Sequence, residues 1–447
     1  MHFPEAFVNR MQSALPDQWP ALQAAHAQPS PVSIRANPRK RYQPAFTKIP
    51  WTTHGYYLPE RPVFTLDPLL HAGAYYVQEA SSMLIEQAFT QATDATGSLR
   101  VLDLCAAPGG KSTHLLSLMN EQSLLVSNEV IRSRASILSE NVQKWGHANV
   151  VVSNNDPKDF ERLSGYFDVM VVDAPCSGEG LFRKDPHAMQ EWSENNVTLC
   201  SQRQQRILAD VWPALKENGL LIYSTCTYND IENEGNLKWL AENKEVEFVS
   251  HTMDAKWGVT KSVVGNMVGY HCYPHLVQGE GFFMAVVRKR EATTPPVFRT
   301  KNVLPLLAKK TAEQLNHWLQ HPHLLIQLNE LIVALPEEFA TEINWLTQQL
   351  NVLTKGTALA TMKHDKFIPE HAAALSIELQ TDQFIQLDVS LEEALAYLRK
   401  ETPLLGEGRK GFALVTYQKT PLGWVNLLGN RLNNLYPANW RVRMAGS

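Results

Sequence analysis

The sequence contains few cysteines and little net charge. Five cysteines among 447 residues is an odd and sparse set, which argues against a disulfide framework and for a reducing compartment. The 41 lysines and arginines are outnumbered by 45 aspartates and glutamates, for a net charge of -4. No global positive field therefore attracts the chain to nucleic acid, and any basic binding surface has to be local.

Long apolar runs are also missing. A helix that spans a bilayer needs roughly 18 apolar residues, whereas runs such as 282–287 have the length of a strand. This excludes a membrane protein. Pro4 and Glu5 stand where a secretory signal has a basic patch followed by an apolar segment. We therefore expect a cytoplasmic protein.

What is present is a core large enough for two to four domains, because 44% of the residues are hydrophobic. From residue 100 onward, short apolar runs alternate with helical patterns, which predicts a parallel sheet covered on both faces. The predicted strands are 100–104, 124–127, 150–152, 167–172, 219–223 and 280–288, and the predicted helices are 112–119, 132–145 and 202–215.

The segment 103–112, Asp-Leu-Cys-Ala-Ala-Pro-Gly-Gly-Lys-Ser, is a glycine-containing loop between a predicted strand and a predicted helix. A phosphate-binding P-loop would need glycine at Cys105, and the dinucleotide pattern Gly-x-Gly-x-x-Gly is absent. The remaining interpretation is the S-adenosylmethionine loop of a class I methyltransferase.

Acidic residues follow three successive predicted strands. Asp103 would lie near the methionine part of the cofactor, with Gly109 and Gly110 leaving room for it, while Glu129 would accept hydrogen bonds from the ribose hydroxyls and Asp156 would meet the adenine. A single such residue is more often a helix N-cap or a solvated loop residue. Three at successive strand ends favour a cofactor site.

Two cysteines follow the fourth and fifth strands of this pattern. Cys176 belongs to Asp173-Ala-Pro-Cys-Ser-Gly and Cys226 to Ser224-Thr-Cys-Thr-Tyr. A lone cysteine at a strand end is usually a small buried apolar residue. Neighbouring strands in a doubly wound sheet lie about 4.8 Å apart with their carboxyl ends lining the ligand crevice. Both thiols and Asp173 are therefore expected to converge beside the glycine loop.

The combination of segments 105–111, 173–178 and 224–228 resembles the Nol1/Nop2/Sun family of RNA cytosine-5 methyltransferases, over about residues 1–290. The segment 429–437 resembles the PUA-type RNA-binding module of a bacterial ribosomal member of that family. The resemblance implies an α/β fold. It consists of a Rossmann-like class I methyltransferase core with an N-terminal extension and C-terminal PUA-like α+β RNA-binding units.

The same resemblance implies four parts. They are an N-terminal RNA-positioning segment (1–75), a methyltransferase domain (76–290), a small mixed α/β unit (300–374) and a PUA-like RNA-binding domain (375–447). Residues 291–296 are predicted to be a linker. Deletion after about residue 300 is accordingly expected to leave the cofactor pocket folded.

The resemblance also implies residue roles. Cys226 would be the nucleophile that adds to cytosine C6, Cys176 would assist product release, and Asp173 would share a proton with ring N3 or the amine. DNA cytosine-5 methyltransferases use the earlier cysteine as the nucleophile. The choice of Cys226 over Cys176 therefore rests on the family resemblance and not on geometry. No metal is expected. The implied cofactor contacts are Cys105, Ala106, Ala107, Pro108, Gly109, Gly110, Lys111, Glu129, Asp156 and Asp173.

The implied function is S-adenosylmethionine-dependent methylation of cytosine C5 in small-subunit (16S) ribosomal RNA, in helix 44 of the decoding region. The expected partner is ribosomal RNA or the small ribosomal subunit, bound by a monomer. Two alternatives stay open, a transfer RNA cytosine-5 methyltransferase and a catalytically inactive RNA-binding assembly factor. A basic cluster, Arg35, Arg39, Lys40 and Arg41, is interleaved with aromatic residues and predicts a strip that contacts RNA phosphates.

Overall fold

The structure is a computed structural model that describes residues 3–94, 96–299, 303–364, 366–401 and 408–444. The expected domain limits at residues 1, 300 and 447 lie outside this range. Within it, the strands form four sheets. No helix among the described residues is both long and apolar enough to cross a bilayer.

The N-terminal part pairs two helices with a small antiparallel sheet of strand order β2-β3-β1-β4. Its elements are α1 (Glu5–Ala14), α2 (Trp19–His26), β1 (Val32–Ala36), β2 (Thr47–Lys48), β3 (Gly55–Leu58), α3 (Pro68–His71) and β4 (Tyr75–Val77).

The central part is a mixed sheet whose helices lie between consecutive strands. Its elements are α4 (Ile85–Ala92), β5 (Arg100–Asp103), α5 (Gly110–Leu118), β6 (Leu124–Asn128), α6 (Arg132–Trp145), β7 (Val150–Ser153), β8 (Phe167–Asp173), α7 (Pro186–Glu191), α8 (Glu194–Val211), β9 (Leu215–Thr225), α9 (Glu234–Asn243), β10 (Val246–Phe248), β11 (Thr260–Val264), β12 (Met267–Cys272) and β13 (Phe282–Lys289).

The central strands β7-β6-β5-β8-β9 are parallel, and β13, β12 and β11 continue the sheet antiparallel beyond β9. The strand order reverses at β5, which has β6 on one side and β8 on the other. Ligands in doubly wound sheets bind at the carboxyl ends beside such a reversal. The predicted Rossmann-like core is confirmed, and its crevice lies where β5 ends.

The predicted helix 202–215 is wrong at both ends. The observed helix α8 begins after Ser193, whose side chain accepts a hydrogen bond from the Asn196 amide (3.1 Å). It ends before Pro213, and Leu215 already begins β9. The N-cap and the proline therefore set these limits, not the apolar pattern of the helix.

The C-terminal part contains two further four-stranded sheets, β14-β15-β17-β18 and β19-β20-β21-β22. Their elements, with the helices between them, are α10 (Lys309–Asn316), β14 (Leu324–Leu328), β15 (Leu331–Leu335), α11 (Ala340–Gln349), β16 (Val352–Lys355), β17 (Thr357–Lys363), β18 (Lys366–Pro369), α12 (His371–Leu375), β19 (Ile385–Asp388), α13 (Leu391–Leu398), β20 (Lys410–Tyr417), β21 (Thr420–Leu428) and β22 (Leu432–Asn434).

Strand β16 does not belong to either C-terminal sheet. It pairs antiparallel with β7 at the edge of the central sheet. Val333, Phe339 and Trp345 lie in the same buried apolar cluster as residues of β5, β7 and β8. Arg100 of β5 forms a bidentate ion pair with Glu342 of α11, in which Nε donates to Oε1 (2.6 Å) and Nη2 donates to Oε2 (2.8 Å). This segment therefore contributes to the core of the central part. These contacts argue against folding of the cofactor pocket without it, which stays a prediction.

The basic cluster is not a continuous RNA-binding strip. Arg35 is 1% exposed, and the Lys40 ammonium donates to the backbone carbonyls of Ala72 (2.5 Å) and Lys144 (2.6 Å). Burial lowers the pKa of Lys40 to about 7. Both cations are committed to internal carbonyl and side-chain acceptors, so the predicted phosphate contacts are wrong for Arg35 and Lys40.

Candidate active site

The glycine loop joins the carboxyl end of β5 to the first turn of α5. The Ala106 amide donates to the carbonyl of Asn128 (2.8 Å), and the Arg134 guanidinium donates to the carbonyl of Ala107 (2.9 Å). The loop is thus tied to β6 and α6. The amide groups of the first turn of α5 are available to a ligand, as at other helix N-termini.

Arg35 supports this loop from the N-terminal sheet. Its guanidinium donates to the carbonyl of Gly110 (3.2 Å) and to the hydroxyl of Thr113 (2.6 Å), both in α5, and lies 4.5 Å from the ring centroid of Trp145. Burial lowers the pKa of Arg35 to about 9. The role of Arg35 is therefore to hold the cofactor helix in place.

A Cβ at either glycine of the loop would face protein atoms. Gly109 has φ +115°, a left-handed conformation that favours glycine, and a Cβ there would lie 3.3 Å from Asn141. A Cβ at Gly110 would lie 3.3 Å from the ring of Tyr76. Both Cβ positions face protein atoms in this structure, and the room that the two glycines are expected to leave for the cofactor stays a prediction.

Asp103 ends β5 and is fully buried. Its Oδ2 accepts a hydrogen bond from Ser112 Oγ (2.7 Å), while Oδ1 is buried and has no hydrogen-bond partner among the described residues. Burial raises the pKa of Asp103 to about 7. A buried acceptor without a partner is unfavourable unless a ligand supplies the donor. A ligand ammonium group, such as that of a methionine moiety, fits this oxygen.

The other two predicted acidic residues differ in their surroundings. Glu129 follows β6 and is 3% exposed; its Oε1 accepts a hydrogen bond from the Ile131 amide (2.9 Å), and its Oε2 lies 3.6 Å from Arg134. Asp156 is exposed, and its carboxylate accepts a hydrogen bond from the amide of Lys158 (3.1 Å) at the start of a short 3-10 helix. Glu129 is held in place at the crevice, whereas the contact observed for Asp156 is an N-cap.

Asp173 forms an ion pair with Lys111 at the end of β8. The Lys111 ammonium lies 2.7 Å from Oδ2, and Ser224 donates to Oδ1 (2.8 Å). Burial opposes the charge on Lys111, but the adjacent Asp173 carboxylate outweighs it and raises the pKa of Lys111. The side chain of Asp173 is 34% exposed against 13% for Lys111. The carboxylate is therefore fixed by two donors and still open to the crevice.

The two thiols meet beside this ion pair. Cys176 Sγ and Cys226 Sγ are 3.1 Å apart, and the Cys226 amide donates to Cys176 Sγ (3.3 Å). The hydrogen bond with Cys226, together with burial, raises the pKa of Cys176 well above its ordinary value. A hydrogen bond joins the two sulfur atoms, and either thiol can be its donor. The expected convergence of both thiols and Asp173 is observed.

Close backbone contact fixes the position of Cys226. The Gly180 amide donates to the Cys226 carbonyl (2.9 Å), and a Cβ at Gly180 would lie 2.8 Å from that carbonyl oxygen. Only glycine allows this approach. Polar residues that the motifs do not single out lie behind the thiols. Ser177 and Thr227 are marked in the sequence only by their positions next to the two cysteines.

Among the described residues, no group of three or more histidine, cysteine, aspartate or glutamate side chains is arranged to hold a metal ion. His321 lies 2.9 Å from Glu378 and forms a pair with it.

Family comparisons match three parts of the chain. The N-terminal domain of 16S rRNA methyltransferase RsmF matches residues 3–80, the family 16S rRNA methyltransferase RsmB/F matches residues 92–288, and the methyltransferase RsmF PUA domain matches residues 384–442. The matches cover the N-terminal sheet, the central sheet and the last sheet of the structure. The expected PUA unit is confirmed.

Individual relatives are similar along most of the chain. Ribosomal RNA small subunit methyltransferase F of Salmonella typhi is 31% identical over 98% of this chain and 96% of its own length. The protein of the same name from Shewanella baltica (strain OS195) is 33% identical over 88% of this chain and 84% of its own. A crystal structure of a methyltransferase homologue from Pyrococcus horikoshii is 26% identical, covers 64% of this chain and 95% of its own, and superposes with a TM-score of 0.55. On this near full-length similarity, the chain belongs to the ribosomal RNA small subunit methyltransferase F family.

Proposed function

We propose that this enzyme methylates C5 of a cytosine in 16S ribosomal RNA, in helix 44 of the decoding region, with S-adenosylmethionine as the donor. The observation that carries the proposal is the pair of thiols 3.1 Å apart at the ends of β8 and β9. They lie beside the Lys111–Asp173 ion pair and next to the glycine loop. Cytosine C5 chemistry needs this combination of a thiol nucleophile and a polar group that contacts the ring.

The cofactor fits the residues at the end of β5. We assign its ammonium group to Asp103, whose buried Oδ1 lacks a partner among the described residues. The ribose hydroxyls are assigned to Glu129, which follows β6, and the adenine is assigned to Asp156, which follows β7. The loop from Cys105 to Lys111 surrounds the methionine part. When bound, the cofactor supplies an electrophilic methyl group.

Cys226 is proposed as the nucleophile. Its thiolate adds to C6 of the cytosine, forming an S–C6 bond and moving electron density onto the ring, because C5 of the intact aromatic ring is too weak a nucleophile. Asp173, held by Lys111 and Ser224, hydrogen-bonds ring N3 or the amine and shares a proton as this charge develops. C5 would then form a bond to the methyl group that the bound cofactor supplies, and the electrons of the broken methyl–sulfur bond would stay on the cofactor sulfur.

Release reverses the addition. The C5 proton passes to water, the C5–H electron pair restores the C5=C6 double bond, and the S–C6 electron pair leaves with the Cys226 sulfur. The Cys176 thiol lies 3.1 Å from that sulfur and holds its own proton, so it donates a hydrogen bond to the departing thiolate. This gives the second thiol a reason to be needed at the end of the reaction.

Two variants test the assignment. Cys226→Ala removes the attacking thiol, so it should abolish methyl transfer and form no adduct. Cys176→Ala keeps the attack but weakens release, so it should accumulate a protein–RNA adduct that survives a denaturing gel. Cys272→Ala is the control, because Cys272 is fully buried in β12 and should behave as the wild type. An adduct formed by Cys226→Ala and not by Cys176→Ala would reverse the roles.

The substrate is tested in the same assay. Small ribosomal subunits, naked 16S ribosomal RNA and total transfer RNA are supplied in parallel with labelled cofactor, and the modified nucleotide is mapped. Incorporation at C5 of a cytosine in helix 44 is the expected result. Incorporation into transfer RNA alone would contradict the proposed substrate, and no incorporation into any RNA would indicate an inactive binding protein.

A further inference from the structure

A buried carboxylate lies behind the two thiols and has no part in the mechanism above. Glu232 precedes α9 and is fully buried. Its Oε2 accepts hydrogen bonds from the Ser177 amide (2.9 Å) and from Gln204 Nε2 (2.8 Å), and its Oε1 accepts one from Ser177 Oγ. Three donors therefore converge on this one carboxylate.

These donors connect the two cysteine loops. Ser177 follows Cys176, and its hydroxyl also lies 3.0 Å from the hydroxyl of Thr227, which follows Cys226. Gln204 additionally donates to the carbonyl of Pro175 (3.0 Å), the residue before Cys176. The Glu232 carboxylate thus accepts directly from the Cys176 loop and is connected to the Cys226 loop through the Ser177 hydroxyl, and no part of it reaches the crevice.

The charge of Glu232, like its hydrogen bonds, affects the Cys176 loop. The ionisable groups that interact with it are Cys176, Cys200, Glu179 and Tyr223, all of which are acidic. After the hydrogen bond with Cys226 and burial, the negative charge of Glu232 further raises the pKa of Cys176. Burial raises the pKa of Glu232 itself, while the hydrogen bonds from Ser177 and Gln204 favour its ionised form. The ionised carboxylate favours the protonated Cys176 thiol.

We propose that Glu232 is a positioning residue, which holds the Cys176 loop against the Cys226 loop so that Cys176 is the hydrogen-bond donor to Cys226. The proposal rests on the proposed function, since it explains which thiol keeps the proton needed when the adduct is released. Glu232 acts through Ser177 and Gln204 and does not touch the substrate.

The first test uses Glu232→Gln in the full-length enzyme. The substitution removes the charge, and a glutamine amide nitrogen at the Oε1 position donates to Ser177 Oγ instead of accepting from it, which reverses that hydrogen bond. We expect release of the RNA adduct to slow by about tenfold or more, with adduct accumulating on a denaturing gel. Affinity for S-adenosylmethionine should change less than about twofold, because Asp103 and Glu129 are untouched.

Two further variants separate positioning from general destabilisation. Glu86→Gln is the matched control, because Glu86 is also buried (4% exposed) and contacts Thr52, Thr53 and His114 of α5, away from both cysteine loops. It should form no excess adduct even if it lowers the melting temperature. Ser177→Ala removes the hydroxyl bridge but keeps the amide bond to Glu232, and should show the Glu232→Gln effect in weaker form.

A second readout does not depend on the methylation mechanism. In the Cys226→Ala background, the rate at which iodoacetamide alkylates Cys176 is followed against pH by mass spectrometry, because only the thiolate reacts. Glu232→Gln should move this profile to lower pH. An unchanged profile would overturn the proposal, as would wild-type adduct levels in Glu232→Gln when Cys176→Ala accumulates adduct. Absence of adduct in Cys176→Ala would instead contradict the proposed mechanism, and the alkylation profile would still decide the role of Glu232.

Discussion

The segment from β14 to β16 completes the central core, and Trp345 of α11 is the residue with which to test this. Its side chain is 4% exposed, and its ring centroid lies 5.3 Å from that of Tyr166, just before β8, and 5.0 Å from that of Phe298. Substitution of a buried tryptophan by alanine costs about 3–5 kcal/mol of unfolding free energy. We expect Trp345→Ala to cause a loss of this size.

The loss should be felt by the central sheet and not only by the C-terminal part. With a urea m-value of about 3 kcal/mol per molar, the unfolding midpoint should fall by roughly 1 to 1.7 M. Hydrogen exchange followed by mass spectrometry at increasing urea reports this locally. Peptides from β7 and from β15 should lose protection together at the lowered midpoint, because β16 pairs with β7 and the two parts share one apolar cluster.

The control is Phe46→Ala, since Phe46 is 40% exposed. Its midpoint should stay close to the wild type, as for most surface substitutions. If Trp345→Ala lowered the protection of β15 while β7 and cofactor binding kept the wild-type midpoint, the two parts would unfold independently. That result would refute the conclusion that they form one cooperative core.

Two further predictions concern binding. Asp103 has its pKa raised from 3.8 to about 7 by burial, so the empty folded state binds its proton more tightly than the unfolded chain, and stability falls as pH rises through this range. A cofactor ammonium requires the ionised carboxylate, so calorimetry should show that affinity for S-adenosylmethionine falls up to about tenfold per pH unit below 7. Asp103→Asn should weaken binding and flatten this pH dependence. A flat wild-type profile would exclude the contact. Arg431, Arg441 and Arg443 are exposed at the C-terminal end, so replacing all three with alanine should weaken 16S ribosomal RNA binding and reduce its salt-dependence slope by about 2, while an unchanged slope would remove them from the RNA interface.

The order of residues along the sequence is enough to predict which side chains meet at the crevice. Strands that alternate with helices predict a parallel sheet, and parallel strands bring their carboxyl ends to one edge. Residues that directly follow such strands must then converge, whatever the details of packing. For this reason the order of residues along the chain is enough to group Asp103, Asp173, Cys176 and Cys226 at one site. Local patterns also gave α6 its observed limits, Arg132–Trp145.

The tertiary structure decided which side chains support that chemistry. Arg35 belongs to a basic run in the sequence, yet it is buried against α5 because Thr113 and Trp145, distant in the chain, surround it. Asp156 fits the series of acidic strand ends, yet its observed contact is a local N-cap. No periodicity or motif encodes the burial of Arg35, whereas Asp156 followed by Pro157 is a local N-cap pattern.

The same holds for β16 and Glu232. Strand β16 lies about 200 residues after β7 in the sequence, and its pairing depends on the exposed edge of a sheet that exists only once the central core is folded. Glu232 has no strand end or motif to mark it, and its role follows from donors brought to it by Ser177 and Gln204. Contacts between distant residues are set by packing and hydrogen-bond satisfaction in three dimensions, so the chain order alone does not contain them.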